Sequence, residues 1–387
     1  MEAYMDNAAT TRVRDEVRDI MIKVMQEDYG NPSSKHTKGM QAEEYVDKAR
    51  EIIAGTLKCD RKNITFTSGG TEANNQALIG AALANERSGK HIISTVVEHA
   101  SVHEPLAFLE SRGFEVTYLP VDSEGIVDAA SLAEAVRPDT ILVSVMYVNN
   151  EVGSIQDIAG LTAAAKEVNN KLIFHVDAIQ AYGKMKINPK KLGIDLMSVS
   201  GHKFLGPKGS GFLYHADNVK FLPYIYGGGQ EKGLRSGTEN VPGIAGLGVA
   251  CELAYKNLDE KTSNMRRVKQ YLIDELSKME GAYINANSAG SAELGAPHIL
   301  SVSFEGVKSE VLLHAIAADG VYVSSGSACS SNHPGLSGTL KAIGVENKLV
   351  DSTIRLSFSY YTTMEEAEYT VKVLAKHHPI LRRFKSY

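Results

Sequence analysis

The 387-residue sequence has few cysteines, no run of about 18 apolar residues that could cross a bilayer, and no lysine- or arginine-rich run. The three cysteines, at positions 59, 251 and 329, are far apart, and none has the CxxC spacing of a zinc site. The first residues show no signal peptide. With a net charge of −5, these absences predict a cytoplasmic protein with no metal site, no membrane contact and no direct nucleic-acid partner.

Short β-branched runs alternate with helical patterns from about residue 50 to 215, which predicts an α/β fold. We expect a mostly parallel central sheet with helices on both faces and ligands at the carboxyl ends of the strands. The predicted strands are Ile64–Thr67, Ile92–Val97, Glu115–Pro120, Ile141–Val148, Leu172–Val176, Leu196–Ser200 and Gly211–His215. The predicted helices between them include Thr71–Asn85, Ala129–Val136 and Leu161–Asn169.

A change of rhythm after a long helical stretch, Ile244 to Leu276, predicts a second domain. We expect a large cofactor-binding domain over 13–257 and a small α+β domain formed by 1–12 and 258–387. The small domain has predicted strands at Ile299–Phe304, Val321–Ser324 and Ile354–Ser359 and a predicted helix at Glu310–Ala318. Thr363 and Glu366 have the spacing of a capping box, which predicts the start of a last long helix.

Lys203 and Asp177 each follow a predicted strand, and together they suggest a chemistry. Lys203 comes just after Leu196–Ser200, and Asp177 directly follows Leu172–Val176. A pyridoxal phosphate enzyme needs such a pair, because the lysine forms a Schiff base with the cofactor aldehyde and the carboxylate keeps the pyridine nitrogen protonated. Lysines and aspartates are common at strand ends, so the pair by itself is weak evidence for this cofactor. The other motifs along the chain strengthen it.

Other polar residues at strand ends fit the same cofactor. In Ser68–Glu72, Gly70 and Thr71 lie between a strand and a helix and would hold a phosphate, although a plain turn capped by Thr71 is the alternative. His99 would stack on the ring and move protons, or be an ordinary surface or core histidine. Asn150 would donate to the phenolic oxygen of the cofactor, or simply form a turn.

Further candidates lie close to Asp177 and Lys203 in the sequence or in a glycine-rich loop. Gln180 lies one helical turn after Asp177 and would reach the same ligand edge. Ser200 and His202 would bind the phosphate beside Lys203. Thr238 ends the glycine-rich loop 226–238 and would add another phosphate contact, unless the loop is only a mobile connection.

Cys329 lies in a segment, 324–338, in which nine of fifteen residues are serine or glycine. Such a segment is expected to be exposed and mobile, so its cysteine is predicted to be a nucleophile rather than core filler. Cys59 and Cys251 follow or lie in helical patterns and are predicted to be structural. Arg355, within an apolar strand, is a candidate for binding a substrate carboxylate, with a structural salt bridge as the alternative.

Taken together, these motifs resemble the NifS/IscS-like cysteine desulfurases, which are fold-type I pyridoxal phosphate enzymes. The resemblance covers nearly the whole chain, from Tyr4–Thr11 through Tyr29–Ser34, the phosphate turn, the Lys203 segment and Arg235–Thr238. Ser325–Cys329 is similar to the long-loop class of these enzymes.

The resemblance implies a homodimer in which Thr238 reaches the phosphate of the neighbouring subunit's cofactor. It also implies that Gln180 contacts the phenolic oxygen, that Asn150 lies beside substrate and cofactor, and that Arg355 binds the carboxylate of L-cysteine. Lys203, helped by His99, would move a proton, and Cys329 would take the sulfur as a persulfide. Alanine would leave, and the sulfur would pass to acceptor proteins such as an iron–sulfur scaffold or tRNA thiolation enzymes. A selenocysteine lyase, an aminotransferase and a non-catalytic sulfur-relay adaptor are the alternatives.

Overall fold

The computed structural model describes residues 1–286, 290–325 and 336–384. Its largest sheet has seven strands in the order β2-β8-β7-β6-β5-β3-β4. All neighbouring strands are parallel except for the two pairs that β8 makes with β2 and β7. The strands are β2 (Ile64–Thr67), β3 (His91–Thr95), β4 (Glu115–Leu119), β5 (Thr140–Met146), β6 (Ile173–Asp177), β7 (Leu196–Ser200) and β8 (Gly211–His215). The predicted architecture, an α/β fold with a mostly parallel central sheet, is confirmed.

Helices cover both faces of this sheet because successive strand residues point to opposite sides. Leu142 packs in one apolar cluster with residues of α3 and α4, whereas Val143 packs in the other with residues of α2, α6 and α8. The helices in the first 255 residues are α1 (Asp15–Gln26), α2 (Thr37–Leu57), α3 (Gly70–Asn85), α4 (Ala100–Ser111), α5 (Ala129–Ala135), α6 (Ile158–Val168), α7 (Pro189–Leu192) and α8 (Val241–Tyr255).

A four-stranded antiparallel sheet, in the order β12-β13-β10-β9, forms the second part of the structure. A third, two-stranded sheet pairs β1 with β11 in parallel. The strands are β1 (Ala3–Tyr4), β9 (Ala282–Ile284), β10 (Ile299–Phe304), β11 (Val321–Tyr322), β12 (Ser324–Ser325) and β13 (Thr353–Ser357). The remaining helices are α9 (Leu258–Leu276), α10 (Ser309–Ala317), α11 (Gly338–Ala342), α12 (Asn347–Val350) and α13 (Met364–Arg382). The division into domains 13–257 and 1–12 with 258–387 stays a prediction.

The structure differs from the predicted elements in three places. The long helical stretch is two helices, α8 and α9, because Asn257 takes a left-handed conformation with φ of 55° between them. The predicted strand Val321–Ser324 is split into β11 and β12, which belong to different sheets. Helices α1, α4, α7, α11 and α12 were not predicted, and of α2 only its end before Cys59 was. The capping box at Thr363 and Glu366 is present at the start of α13.

Within 1–286, 290–325 and 336–384, no helix is both long and apolar enough to cross a membrane. In the same parts of the chain, no three side chains of histidine, cysteine, aspartate or glutamate are grouped in a way that could hold a metal ion.

Candidate active site

A cavity of about 230 Å³ lies where the carboxyl ends of β5, β6 and β7 meet the amino terminus of α3. This is the edge at which a parallel sheet presents its ligand-binding residues. The residues that line the cavity are Ala8, Gly70, Thr71, His99, Ser101, Met146, Val148, Asn150, Asp177, Ile179, Gln180, Ser200, His202 and Lys203. Nine of the twelve predicted site residues are therefore in one place.

Lys203 lies in a single 3-10 turn directly after β7. Its Nζ donates to the carbonyl oxygens of Ala8 at 2.8 Å and Ala9 at 2.7 Å. The same N-terminal segment contacts the turn again, because Thr11 Oγ1 donates to the carbonyl oxygen of His202 at 2.9 Å. The amine is thus held at the cavity by main-chain oxygens more than 190 positions away in the sequence.

Asp177 is the last residue of β6, and its side chain is buried. Oδ2 accepts from Asn74 Nδ2 at 2.8 Å, and Oδ1 accepts from the main-chain N–H of Ile179 at 3.0 Å. Burial raises the pKa of Asp177, whereas these hydrogen bonds and the nearby His99 and Lys203 act in the opposite direction. A buried carboxyl group with such a pKa is suited to share a proton with a basic ring nitrogen.

Gln180 lies in the helical turn that follows β6, where the N–H of Tyr182 donates to the carbonyl oxygen of Ala178 at 2.8 Å. The turn brings Gln180 and Asp177 to the same cavity, as the spacing predicted. Gln180 Nε2 donates to Ala8 O at 2.9 Å, and Oε1 is 3.3 Å from Nε2 of the buried His298. The side-chain amide is therefore fixed from two sides.

The amino terminus of α3 opens to the cavity, where Gly70 and Thr71 line it together with Ser200 and His202. A Cβ at position 70 would lie 2.2 Å from Ile179 Cδ1 and 3.4 Å from Ser200 Cβ, so only glycine leaves this space open. Burial, and secondarily the charge of Lys203, lower the pKa of His202 to about 4, so its ring is neutral at pH 7. Main-chain N–H groups at a helix terminus, hydroxyl groups and a neutral imidazole are a suitable set for binding a phosphate.

His99 is the N-cap residue of α4, and its ring lines the cavity. Its Nδ1 accepts from the main-chain N–H of Ser101 at 3.0 Å and is 2.8 Å from Ser101 Oγ. Asn150 lines the cavity from the segment after β5. Both residues therefore lie where the sequence predicted them, and their roles toward a ligand stay predictions.

Arg355 and Thr238 are predicted site residues that the structure describes and that do not line the cavity. Arg355 is buried in β13, where Nη1 donates to the carbonyl oxygen of Asn150 at 2.7 Å. Its Nη2 donates to Asp6 Oδ1 and to Ser324 Oγ, both at 3.1 Å. The guanidinium group thus contacts the main chain of a cavity residue and already has a structural ion pair.

Thr238 is exposed, and Cys329 lies outside the described residues. Because Thr238 is exposed, a second subunit could reach it. The contact of Thr238 with the cofactor phosphate of a neighbouring subunit stays a prediction. Cys251 is buried with its Sγ 2.8 Å from Tyr182 Oη, and burial raises the pKa of both Cys251 and Cys59 to about 12. The structural assignment of these two cysteines therefore fits their surroundings.

Sequence analysis missed several residues that complete the site. Ala8 and Ala9 act through main-chain oxygens, which carry no signal in the sequence. Asn74 lies one helical turn after Gly70 on the same face of α3, a spacing that could have indicated it. Glu98 is buried beside His99, and its Oε1 accepts from the main-chain N–H of Met146 at 2.8 Å.

Comparisons with known proteins give the family of this chain. The family model of class-V aminotransferases matches residues 3–370. The chain belongs to the class-V aminotransferase family. It is 44% identical over 387 residues to a protein of Dictyoglomus turgidum named cysteine desulfurase IscS, covering 100% of this chain and 97% of that protein. The recognition of a NifS/IscS-like member is confirmed.

Solved structures agree with this assignment. A NifS-like protein superposes with a TM-score of 0.91 at 40% identity, covering 97% of this chain and 99% of the other. SspA in complex with cysteine superposes with a TM-score of 0.81 at 34% identity, covering 93% and 100%. The prediction of a fold-type I pyridoxal phosphate enzyme is confirmed. Lys203, the buried Asp177 and the helix terminus at Gly70 and Thr71 fit that cofactor in their chemistry.

Proposed function

We propose that this class-V family member is a cysteine desulfurase that removes sulfur from L-cysteine, releases L-alanine and holds the sulfur as a persulfide on Cys329. One observation carries this proposal: the described residues on either side of Cys329 are tied to the surroundings of the cavity. Ser324 Oγ donates to Asp6 Oδ1 at 2.6 Å, and Ser337 Oγ donates to Glu151, the neighbour of Asn150, at 2.5 Å. An aminotransferase has no need for a cysteine in such a segment.

The names of the relatives support the same activity. The Dictyoglomus relative is named a cysteine desulfurase, and the SspA structure contains cysteine. This class-V chain shares their fold over nearly its whole length, and its cavity is large enough for a cofactor and polar enough for an amino acid. We therefore assign L-cysteine as the substrate.

The position of each cavity residue suggests its role in binding the cofactor or in moving a proton. Lys203 would bind the cofactor aldehyde, Asp177 would hold the pyridine nitrogen, and Gln180 would donate to the phenolic oxygen. The phosphate would be held by Gly70, Thr71, Ser200 and His202. When bound, pyridoxal phosphate supplies an electron sink for the substrate α-carbon. Lys203 takes and returns the proton at that carbon, with His99 as a second proton carrier.

Sulfur transfer then needs a nucleophile and residues that bind and orient the substrate. The Cys329 thiolate attacks the sulfur of the substrate, the carbon–sulfur bond breaks, and its electron pair stays with the carbon, which takes up a proton as alanine leaves. Asn150 lies beside the substrate, and Arg355, whose Nη1 donates to the carbonyl oxygen of Asn150, binds the substrate carboxylate. Because Asp6 already holds one side of Arg355, the arginine stays oriented before substrate arrives.

The proposal extends to an assembly and to partners. We infer a homodimer in which Thr238 completes the phosphate site of the neighbouring subunit. Sulfur-acceptor proteins, such as an iron–sulfur scaffold or thiolation enzymes, would receive the persulfide sulfur, and a cytoplasmic location fits those partners.

The proposed function is tested by replacing the nucleophile. We expect Cys329→Ala to lose at least 100-fold in L-alanine formation and to carry no persulfide after incubation with L-cysteine, because the sulfur has no acceptor. Cys59→Ala, which removes a half-buried thiol that does not line the cavity, is the matched control and should keep both. A Cys329→Ala protein that still forms alanine at the normal rate would contradict the assignment. Transfer of the amino group to a keto acid without sulfur release would instead identify an aminotransferase.

A further inference from the structure

Asn74 is a buried amide that lies behind the cavity and contacts two of its walls. One hydrogen of Nδ2 is donated to Asp177 Oδ2 at 2.8 Å, and the other is donated to Ser101 Oγ at 2.9 Å. The orientation of the amide is fixed, because a flipped group would turn its oxygen toward the Asp177 carboxylate. Its Oδ1 has no partner among the described residues. A buried acceptor without a partner is unfavourable, so the two hydrogen bonds that Nδ2 donates are the reason for an amide at this position.

Ser101 passes this contact on to His99. Since Ser101 Oγ accepts a hydrogen from Asn74, its own hydrogen is directed to His99 Nδ1, which lies 2.8 Å away. The main-chain N–H of Ser101 donates to the same nitrogen at 3.0 Å. Two donors converge on Nδ1, so the hydrogen-bond network assigns the ring hydrogen to Nε2.

We propose that Asn74 and Ser101 form a positioning bridge that fixes the Asp177 carboxylate and the His99 ring relative to each other as the two walls of the cofactor-ring site. Asp177, Asn74, Ser101 and His99 come from β6, α3 and α4, so the bridge also joins three elements of the fold. The proposal rests on the proposed function in one respect, the identity of the cofactor. Neither bridge residue acts on the substrate.

The test measures binding of pyridoxamine 5′-phosphate, whose amine cannot bond covalently to Lys203, so that the dissociation constant reports the ring and phosphate contacts. We expect Asn74→Leu to weaken binding about tenfold or more, a size typical of residues that orient a ligand's direct partners. Asn75→Leu is the matched control, because Asn75 is the next residue of α3 and its Nδ2 donates to the carbonyl oxygen of Thr71 at 2.9 Å, within the same helix. It should bind within twofold of the wild type.

A second probe separates the bridge from general damage. Inorganic phosphate occupies only the phosphate end of the cavity, so its dissociation constant should be unchanged in Asn74→Leu. Equal weakening of both ligands would overturn the proposal, as would binding of pyridoxamine 5′-phosphate at the control level. If thermal melting shows that Asn74→Leu does not fold, Asn74→Ala replaces it with the same expectations.

A double-mutant cycle tests whether the two residues act as one unit. Ser101→Ala removes the hydroxyl and should weaken binding about threefold. In the double variant with Asn74→Leu, we expect no further loss beyond that of Asn74→Leu alone, because the bridge is already broken. Effects that multiply would contradict the bridge. Because these titrations contain no cysteine, their failure leaves alanine formation untouched, whereas a wild type that does not bind the probe would count against the proposed function instead.

The ring of His99 provides a readout that is independent of any ligand. We expect ¹⁵N spectra of histidine-labelled protein, with His99 assigned from a His99→Asn sample, to show a ring protonated at Nε2 near neutral pH. A His99 ring protonated at Nδ1 would contradict the bridge.

Discussion

Glu98 is a second buried carboxyl group near Asp177, and it does not line the cavity. Its Oε1 accepts from Thr95 Oγ1 at 2.9 Å and from the main-chain N–H of Met146 at 2.8 Å, which joins the ends of β3 and β5. Burial, followed in smaller measure by the charge of Asp177, raises the pKa of Glu98 to about 8. At neutral pH Glu98 therefore carries a proton and is uncharged, so it does not repel the negative charge of the Asp177 carboxylate.

The protonation of Glu98 should make the stability of the protein depend on pH. In the unfolded chain Glu98 ionises near its ordinary pKa of 4.5, whereas in the folded protein it keeps its proton up to about pH 8. Between these values the folded state binds more protons, so the free energy of unfolding falls as pH rises. Glu98→Gln cannot ionise, and we expect it to reduce this fall by roughly 1 to 4 kcal/mol between pH 5 and pH 8.

Urea unfolding at pH 5 and pH 8 measures the effect in the cofactor-free protein. Glu110→Gln, a change of the same kind on α4 outside the cavity, serves as the control and should follow the wild type. Parallel pH curves for Glu98→Gln and the wild type would show that Glu98 is ionised in the folded state.

The start of helix α3 requires a glycine at position 70, because Ile179 leaves no space there for a side chain. Gly70→Ala would bring a methyl group to 2.2 Å from Ile179 Cδ1, beside the space predicted for the phosphate. We expect a loss of about 1 to 3 kcal/mol in the free energy of unfolding, because the site is overpacked, and weaker binding of pyridoxamine 5′-phosphate.

The matched change is Gly55→Ala in α2, where an added Cβ meets no atom within 4 Å. We expect it to stabilise the protein by about 0.5 to 1 kcal/mol, since alanine favours the helix interior, and to leave cofactor binding unchanged. Urea midpoints and cofactor titrations of the two variants check these opposite signs. A Gly70→Ala protein as stable as the wild type would mean that Ile179 moves aside at little cost.

The elements of the large sheet could be predicted from the sequence because their apolar runs are short and separated by turns. Strand ends were displaced by one or two residues, as Asp177 shows: it is the last residue of β6 rather than the residue after it. Helix α4 could not be predicted in the same way, because Pro105 lies inside it. The break between α8 and α9 depends on the left-handed Asn257, which no periodicity shows.

For the site, the residues at the strand ends could be predicted, and their partners could not. Asp177 ends a strand, Gln180 and Lys203 follow strands, and all three carry functional groups, so the local sequence was sufficient to predict their place at the cavity. The oxygens that hold Lys203 belong to Ala8 and Ala9, and their approach depends on contacts between distant parts of the chain. Arg355 was expected to bind substrate, and only the structure reveals that Asp6 and Ser324 share it.

The ion pair of Asp6 and Arg355 links the N-terminal segment to the four-stranded sheet, so its loss should affect the whole molecule. The Arg355 side chain is 4% exposed. Asp6→Ala leaves its charge unpaired, and we expect a loss of about 3 to 5 kcal/mol in the free energy of unfolding. The KM for L-cysteine should also rise, because Arg355 loses its orientation.

Asp259→Asn is the control for this change, because Asp259 pairs with Lys186 on the surface, where the two side chains are 82% and 70% exposed. Such a pair contributes less than about 1 kcal/mol. Urea unfolding and steady-state kinetics of the two variants give the comparison. Equal losses for the buried and the exposed pair would contradict the role given to Asp6.

The N-terminal segment that holds Lys203 also determines when this protein can finish folding on the ribosome. β1 pairs with β11, and Asn7 donates to the carbonyl oxygen of Ser357, 350 positions later. Residues 3–7 must therefore wait until the segment through Ser357 has been made, by which point all seven strands of the large sheet, within 64–215, are available to pair. A nascent chain that has not yet reached Ser357 would carry these strands while the oxygens of Ala8 and Ala9 are not yet fixed beside Lys203. We therefore expect stable binding of vitamin B6 only after that segment has been made.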